Sequence, residues 1–183
     1  MELAGIPIRL KNTFEPDHPG TLITKEYVGS KARIEVIAGS PKVTAIEIHD
    51  PSMVGAVGFD AKVLEIFGRH SVSYILKATN ANSITHVVWD KAVTPSFIEE
   101  LENAYETVTV VPSAIVCAIG TNIAFPGVLA RATEALATQR INVNAVSQSL
   151  RQTNIQFVID RGDYKRAIAA LNDALCLHPP TAA

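Results

Sequence analysis

The sequence lacks the short motifs by which most enzymes are identified. It contains no GxxxxGKS or GxxxxGKT phosphate loop, no HExxH, no CxxC and no GxSxG turn. The five histidines are isolated and show no metal-ligand spacing: His18, His49, His70, His86 and His178. We therefore predict histidines that are structural or solvent-facing, and no metal site.

Cysteine, excess charge and long apolar runs are scarce too. Cys117 and Cys176 lie far apart in apolar contexts, which favours two reduced core residues over a disulfide or metal pair. The formal net charge is −2, so no basic surplus indicates nucleic acid or an anionic membrane as a partner. No apolar run reaches membrane-spanning length, and the first ten residues do not resemble a signal peptide. A cytoplasmic chain is expected.

What the sequence does contain is a long internal repeat. Residues 58–80 are followed sixty-nine positions later by the similar residues 127–149, so that Gly58 matches Gly127. After a shift of two more positions, residues 83–88 (SITHVV) match residues 154–159 (NIQFVI). Self-similarity of this length predicts a duplicated structural unit.

Each copy is predicted to fold as helix, strand, strand. Strands are expected at 6–10, 22–24, 32–39, 42–50, 72–78, 83–89, 107–111, 114–120, 141–147 and 154–160, and helices after Gly58, Thr94 and Gly127 and over 163–175. Gly39, Ser40 and Pro41 are predicted to end one strand and Pro112 to separate two others. The order fits an α+β, ferredoxin-like unit, a four-stranded antiparallel sheet with two helices on one face, and two such units fit the length.

Two strand–loop–helix corners, 50–59 and 119–128, are the best candidates for a binding site. Each ends at a helix N-terminus, where unpaired N–H groups and the helix dipole favour an anion. Glycines in these corners let a small ligand approach the backbone. A free amino acid has the matching carboxylate, and Asp50 and strand-end carbonyls are candidate acceptors for its ammonium group. The alternative, glycines that only make tight turns, stays open.

Three segments resemble a known family. They are IRLKNTFEPDHPGTLIT (8–24), DPSMVGAVGFDAKVLEIFGRHSVS (50–73) and NIQFVIDRGDYKRAIAALNDALC (154–176). Together they resemble the C-terminal regulatory half of aspartokinase, a tandem of ACT domains, and share features with the aspartokinases associated with ectoine synthesis. The full-length enzyme of this family phosphorylates L-aspartate with ATP in lysine, threonine and methionine synthesis.

The resemblance implies a domain organisation. Residues 1–30 would be the end of the kinase domain and a linker, and residues 42–111 the first ACT domain. That domain would be inserted into the second, formed by 31–41 and 112–178, so that 32–39 pairs with strands from the far end of the chain. ATP, Mg and the catalytic residues would belong to the absent kinase domain, so the chain alone is expected to have no cofactor and no activity. Its expected partners are that catalytic domain and a second copy, joined through sheet edges and helices of the first ACT domain.

The resemblance also implies a site for an amino-acid effector, lysine or threonine. Carried over by position, its residues are Asp50, Met53, Gly55, Gly58, Phe59, Asp60, Thr79, Asn80, Asn144, Ala145, Gln148, Asn154 and Ile155. The chain departs from lysine-sensitive members at Ile75, at Asn80–Ala81 and at Leu150–Gln152, which argues against lysine bound by the usual contacts. Threonine, another effector or lost sensitivity fit better. Two alternatives remain: a structural dimerisation module with a degenerate site, and a free-standing ACT protein that serves another enzyme.

Overall fold

The computed structural model describes residues 4–24 and 33–177, which form two compact units. In the first unit, β1 (Ile8–Leu10) and β2 (Thr21–Ile23) form an antiparallel hairpin. Both strands are close to their predicted positions. The predictions for His178 and for the start of the strand at Ala32 lie outside the described residues.

Within residues 33–177, the second unit has six strands and four α-helices. Its elements are β3 (Arg33–His49), α1 (Phe59–Arg69), β4 (Tyr74–Thr79), β5 (Ser83–Trp89), α2 (Pro95–Ala104), β6 (Thr107–Thr121), α3 (Val128–Thr138), β7 (Ala145–Ser147), β8 (Asn154–Asp160) and α4 (Tyr164–Asn172). A π-helical turn, Asp173–Leu177, follows α4. The α2 start is as predicted, because the Thr94 hydroxyl accepts a hydrogen bond from the Phe97 N–H and Pro95 occupies the first turn.

The strands form one antiparallel sheet in the order β4-β5-β3-β6-β8-β7. Two predictions of separate strands were wrong here. The single strand β3 contains both predicted strands 32–39 and 42–50 from Arg33 to His49, and the single strand β6 contains both 107–111 and 114–120. A shift of register between Ser40 and Val43 absorbs the turn-forming residues that were expected to end the first strand. The coarser prediction, helices packed on an antiparallel sheet, is confirmed.

The two long strands are shared between the halves of the sheet. Residues 43–49 of β3 pair with β5 on one side and with β6 on the other. Residues 33–40 of β3 pair with 115–121 of β6, whereas β8 pairs with the opposite side of β6. Residues 33–40 therefore join the second half of the repeat by pairing with β6, and not with β8, the last strand of the chain.

Helices cover one face of the sheet in each half. Phe67 of α1 and Phe97 of α2 pack over the first half, and Leu136 of α3 and Leu171 of α4 pack over the second; all four are buried. These two clusters form the main core.

A third apolar cluster lies on the opposite face of the strands, as the alternation of strand side chains requires. Its buried members are Val43, Ala45, Leu76, Val87, Ile115 and Val158. Strands β4 and β7 contact each other although they stand at opposite ends of the strand order, so the sheet curls around this face. Cys117 packs against the third cluster and Cys176 against the core of the second half; both thiols are free, as predicted.

The helix ends explain two strands that begin later than predicted. The Val72 N–H donates to the Phe67 carbonyl, and the Ile141 N–H donates to the Leu136 carbonyl, so both residues complete the preceding helix. The strands then start at Tyr74 and Ala145.

Candidate functional site

The two corners predicted from the sequence have the same backbone geometry. Gly58 (φ 79°) and Gly127 (φ 98°) both adopt left-handed conformations directly before α1 and α3. A methyl group added at either glycine would meet no atom of the described chain within 4 Å. Both helix N-termini therefore open onto unoccupied space, next to N–H groups that lack partners within the helix. Gly120 differs, because a side chain there would collide with the backbone of Arg33.

Asp50 organises the first corner. Its Oδ1 accepts a hydrogen bond of 2.9 Å from the Ser52 N–H. Hydrogen bonds from the Ser52 side chain and from the Ser52 backbone hold the pKa of the carboxyl group below its usual value. The Asp50 N–H in turn donates to the Asn82 carbonyl at 3.0 Å, which joins the corner to the turn between β4 and β5. Asp50 is thus ionised at neutral pH and fixed beside that turn.

The predicted residues Thr79 and Asn80 lie at this same end of the sheet. Thr79 is the exposed last residue of β4, and the Asn80 N–H closes the turn on the Ser83 carbonyl at 2.8 Å. The Asn80 side chain accepts a bond from the Ala81 N–H. Met53 is half-buried at the end of a 3-10 turn, and Gly55 is exposed with φ 74°. The fold therefore brings together the predicted residues of the first half.

Asp60, in the first turn of α1, forms an ion pair that the sequence did not predict. Its Oδ2 lies 2.5 Å from Nζ of Lys77 on β4, and the Lys77 side chain is 24% exposed. The second carboxylate oxygen, Oδ1, is buried and has no hydrogen-bond partner among the described residues.

His86 lies beneath this ion pair and is fully buried. Its ring packs 4.7 Å from the Phe67 ring and 5.4 Å from the Tyr74 ring, and neither nitrogen has a hydrogen-bond partner in the described chain. Burial, helped by the charge of Lys77, lowers the pKa of His86 to about 4, so the ring is neutral at pH 7. In the sequence, His86 stood out only as an isolated histidine within a predicted strand.

A cleft of about 550 Å³ opens beside the first corner. Its lining residues are Asp50, Ser52, Ala56, Val57, Phe59, Lys62, Glu65, Ile66, Arg69, Ala104 and Tyr105. The Phe59 and Tyr105 rings lie 5.3 Å apart at its wall, and burial raises the pKa of the Tyr105 hydroxyl, which remains a hydrogen-bond donor. The sequence analysis named Asp50 and Phe59 as site residues and included Ser52, Ala56 and Val57 in the candidate corner 50–59, but it did not identify the other six residues.

The predicted residues of the second half are not brought to this corner within one chain. Asn144 lines a separate cleft of about 140 Å³ on the strands, and its amide donates to Asp160 at 3.3 Å. Ala145 packs against the third apolar cluster, and Gln148 is exposed beyond β7. Asn154, at the start of β8, pairs with Ile119.

One predicted site residue has its side chain in the core, so only its backbone is available for a ligand. Ile155 is completely buried and packs in the cluster beneath α3 and α4. Strand alternation directs its side chain toward the helices, away from any surface that a ligand can reach.

Residues 4–24 and 33–177 contain no group of three or more His, Cys, Asp or Glu side chains arranged to hold a metal ion. In the same ranges, no helix is both long and apolar enough to cross a membrane.

The sequence and the fold match known proteins. Residues 116–175 match the ACT domain family. The chain is 40% identical over 176 residues to the aspartate kinase Ask_Ect of Stutzerimonas stutzeri, an alignment that covers 94% of this chain and 37% of that protein. The chain spans about a third of the length of the curated relatives Ask_Ect and the aspartokinases 1 and 3 of Arabidopsis thaliana.

Solved structures extend the similarity to the fold. The aspartate kinase of Clostridium acetobutylicum superposes with a TM-score of 0.84 at 26% identity, covering 95% of this chain and 42% of that one. Aspartokinase III of E. coli, in a T-state complex with lysine and aspartate, gives a TM-score of 0.76 at 22% identity over 94% of this chain and 40% of that one. The resemblance to the C-terminal regulatory region of aspartokinase is thereby confirmed, and the identity to Ask_Ect supports the ectoine-associated type.

Proposed function

We propose that this chain, which resembles the C-terminal regulatory region of aspartokinase, is the amino-acid-sensing and dimerising part of such an enzyme. The full-length enzyme would phosphorylate L-aspartate with ATP, and the effector would change its activity by binding two conformations unequally. The observation that carries the proposal is the first corner, where a cleft, an open helix N-terminus and the ionised Asp50 adjoin each other. A helix N-terminus suits the carboxylate of an amino acid, and Asp50 suits its ammonium group.

The proposal includes two ferredoxin-like ACT domains, the first inserted into the second. In the first, 42–111, the strand order would be β4-β5-β3-β6; in the second, 31–41 plus 112–178, it would be β7-β8-β6-β3. The two domains have the same spatial order of strands, which supports the assignment, and in the second the strand 33–40 comes first along the chain instead of last. Residues 1–30 would be the end of the kinase domain and a linker.

The chain is further proposed to form a homodimer through its ACT domains and to act on the aspartokinase catalytic domain. Sedimentation of the chain should give twice its 19.6 kDa mass. A monomer at high concentration would contradict this part of the proposal and leave the effector site to be judged separately.

A structural dimerisation module with a degenerate effector site is the second candidate. One observation favours it: Ile75, at a position where lysine-sensitive relatives are expected to carry an acid, packs into the third apolar cluster. An isoleucine in that role supplies no partner for a charged ligand.

Thermal unfolding with added amino acids separates the two candidates. Lysine, threonine, methionine and aspartate are each added at millimolar concentration, and a ligand at 100 times its Kd should add about 2.7 kcal/mol to the free energy of unfolding. Thr79→Ala should weaken binding of a responding ligand by about 1–3 kcal/mol if its hydroxyl bonds the ligand. Thr133→Ala is the matched control, because that hydroxyl bonds to carbonyls of its own helix. No response to any amino acid would favour the degenerate site.

A further inference from the structure

We propose that Lys77 makes the first corner selective for amino acids with uncharged side chains and excludes cationic ones such as lysine. This inference rests on the proposed sensing function and concerns the same site. It follows from the partners of the two carboxylates at the corner, Asp50 and Asp60.

Asp50 has little capacity left beyond one ammonium group. Its carboxylate already accepts backbone hydrogen bonds from Ser52 and Glu106. A lysine ligand carries two ammonium groups, one on the α-carbon and one at the end of its side chain. If Asp50 binds the first, the second needs another carboxylate.

Asp60 is the other carboxylate of the segment 50–60, and it is neutralised from within the chain. Lys77 Nζ lies 2.5 Å from its Oδ2, and three quarters of the Lys77 side chain is buried. A ligand ammonium group approaching Asp60, whose side chain is 43% exposed, would meet the like charge of Lys77, which repels it. The chain's own lysine therefore occupies the place of a cationic ligand.

Glu65 is another carboxylate that lines the cleft, and it lies there together with the cations Lys62 and Arg69, so these three side chains add no net negative charge. His86 of β5 is fully buried and neutral, and Tyr74 of β4 and Phe67 of α1 present aromatic rings around it. Among the polar groups at this end of the sheet are the Thr79 hydroxyl and the Asn80 amide. Both suit a neutral side chain that donates or accepts hydrogen bonds.

Calorimetric titration of the whole 183-residue chain with threonine, methionine and lysine tests the inference. The unaltered chain should bind a neutral amino acid at least ten times more tightly than lysine. Lys77→Met should raise the affinity for lysine at least tenfold, because Asp60 becomes free. Lys77→Arg keeps the cation and should keep the selectivity, and Lys165→Met, on the exposed face of α4, is the surface control.

The double variant Lys77→Met with Asp60→Asn completes the design. It has no unpaired buried charge, so it should fold even if the single variant does not, and it should lose the gain in lysine affinity. Two results would overturn the selectivity and leave the sensing function standing. One is that the unaltered chain binds lysine and threonine with equal affinity. The other is that Lys77→Met leaves the affinity for lysine unchanged. If no amino acid binds any of these chains, the sensing function and the inference both fail.

Discussion

Asp90 and Arg161 occupy equivalent positions in the two copies of the repeat, and they bind each other. Each directly follows its strand, β5 or β8, and opens a 3-10 turn, and the Arg161 guanidinium lies 2.9 Å from the Asp90 carboxylate. Arg161 also donates to the carbonyls of Val43 (2.7 Å) and Ser113 (3.3 Å), which are cross-strand partners in β3 and β6. A single side chain thus joins both halves close to their approximate two-fold axis.

Replacing Arg161 by Met should destabilise the chain by about 1–3 kcal/mol, since it removes three hydrogen bonds from partly buried acceptors. A destabilisation at the lower end of this range is expected because the Arg161 side chain is 39% exposed. Urea unfolding measures the change, with Lys165→Met as the control for loss of a lysine or arginine charge. An unchanged midpoint would show that the linkage contributes nothing to stability.

His86 should make stability depend on pH between about 6.5 and 4. Its pKa is lowered to about 4 in the fold, so in this range the unfolded chain binds a proton that the folded chain does not. Stability should therefore fall by about 3 kcal/mol in total as the pH is lowered across this window, and it should change no further through His86 below it. His86→Phe should abolish this component. Parallel curves for the two chains from pH 7 to pH 4 would contradict the prediction.

Alanine at Gly58 or Gly127 should destabilise the chain by about 1–2 kcal/mol, because both residues have left-handed φ angles that a Cβ atom disfavours. Gly68 is the matched control, since it lies within α1 and a methyl group there also meets open space. Gly68→Ala should stabilise by about 0.5–1 kcal/mol. Thermal unfolding of the three variants distinguishes backbone strain from a general effect of added bulk; equal shifts would refute the role of φ.

Ser71 and Arg140 offer the opposite change. They are equivalent residues of the repeat, both have φ 55°, and both follow the end of a helix. Glycine is the preferred residue in such a position, so Ser71→Gly and Arg140→Gly should each raise the free energy of unfolding by up to about 1 kcal/mol. A lower melting temperature for both variants would contradict the prediction. It would mean that the Ser71 and Arg140 side chains stabilise the fold by more than their left-handed φ angles destabilise it.

The repeat allowed much of the fold to be predicted from the sequence, but the continuity of the long strands was hidden by two prolines. Pro41 lies in the register shift where β5 begins to pair with β3, and Pro112 lies next to Ser113, where β8 begins to pair with β6. A proline is tolerated in a strand where the ladder is irregular or a neighbour ends. That condition depends on which strands are adjacent, so local sequence patterns do not reveal it.

The candidate site was predicted only in part, for a similar reason. Asp50 was found because it flanks a strand end, which sequence patterns indicate, whereas Thr79 and Asn80 were carried over by position from the family resemblance. The ion pair of Asp60 with Lys77 joins a helix to a strand beneath it, and its existence depends on the depth and rotation of α1. Ile155 matched a family position, but alternation along β8 turns it into the core.

The sharing of β3 has a consequence for dissecting the chain. Residues 33–40 precede the whole first half in sequence, yet they form hydrogen bonds with the second half. A single cut between the halves, near Pro112, would therefore leave the fragment downstream of the cut without its fourth strand and with an exposed sheet edge. To express that half alone, residues 33–40 would have to be joined to it by a new linker, so its boundaries are a property of the folded molecule and not of any continuous stretch of the gene.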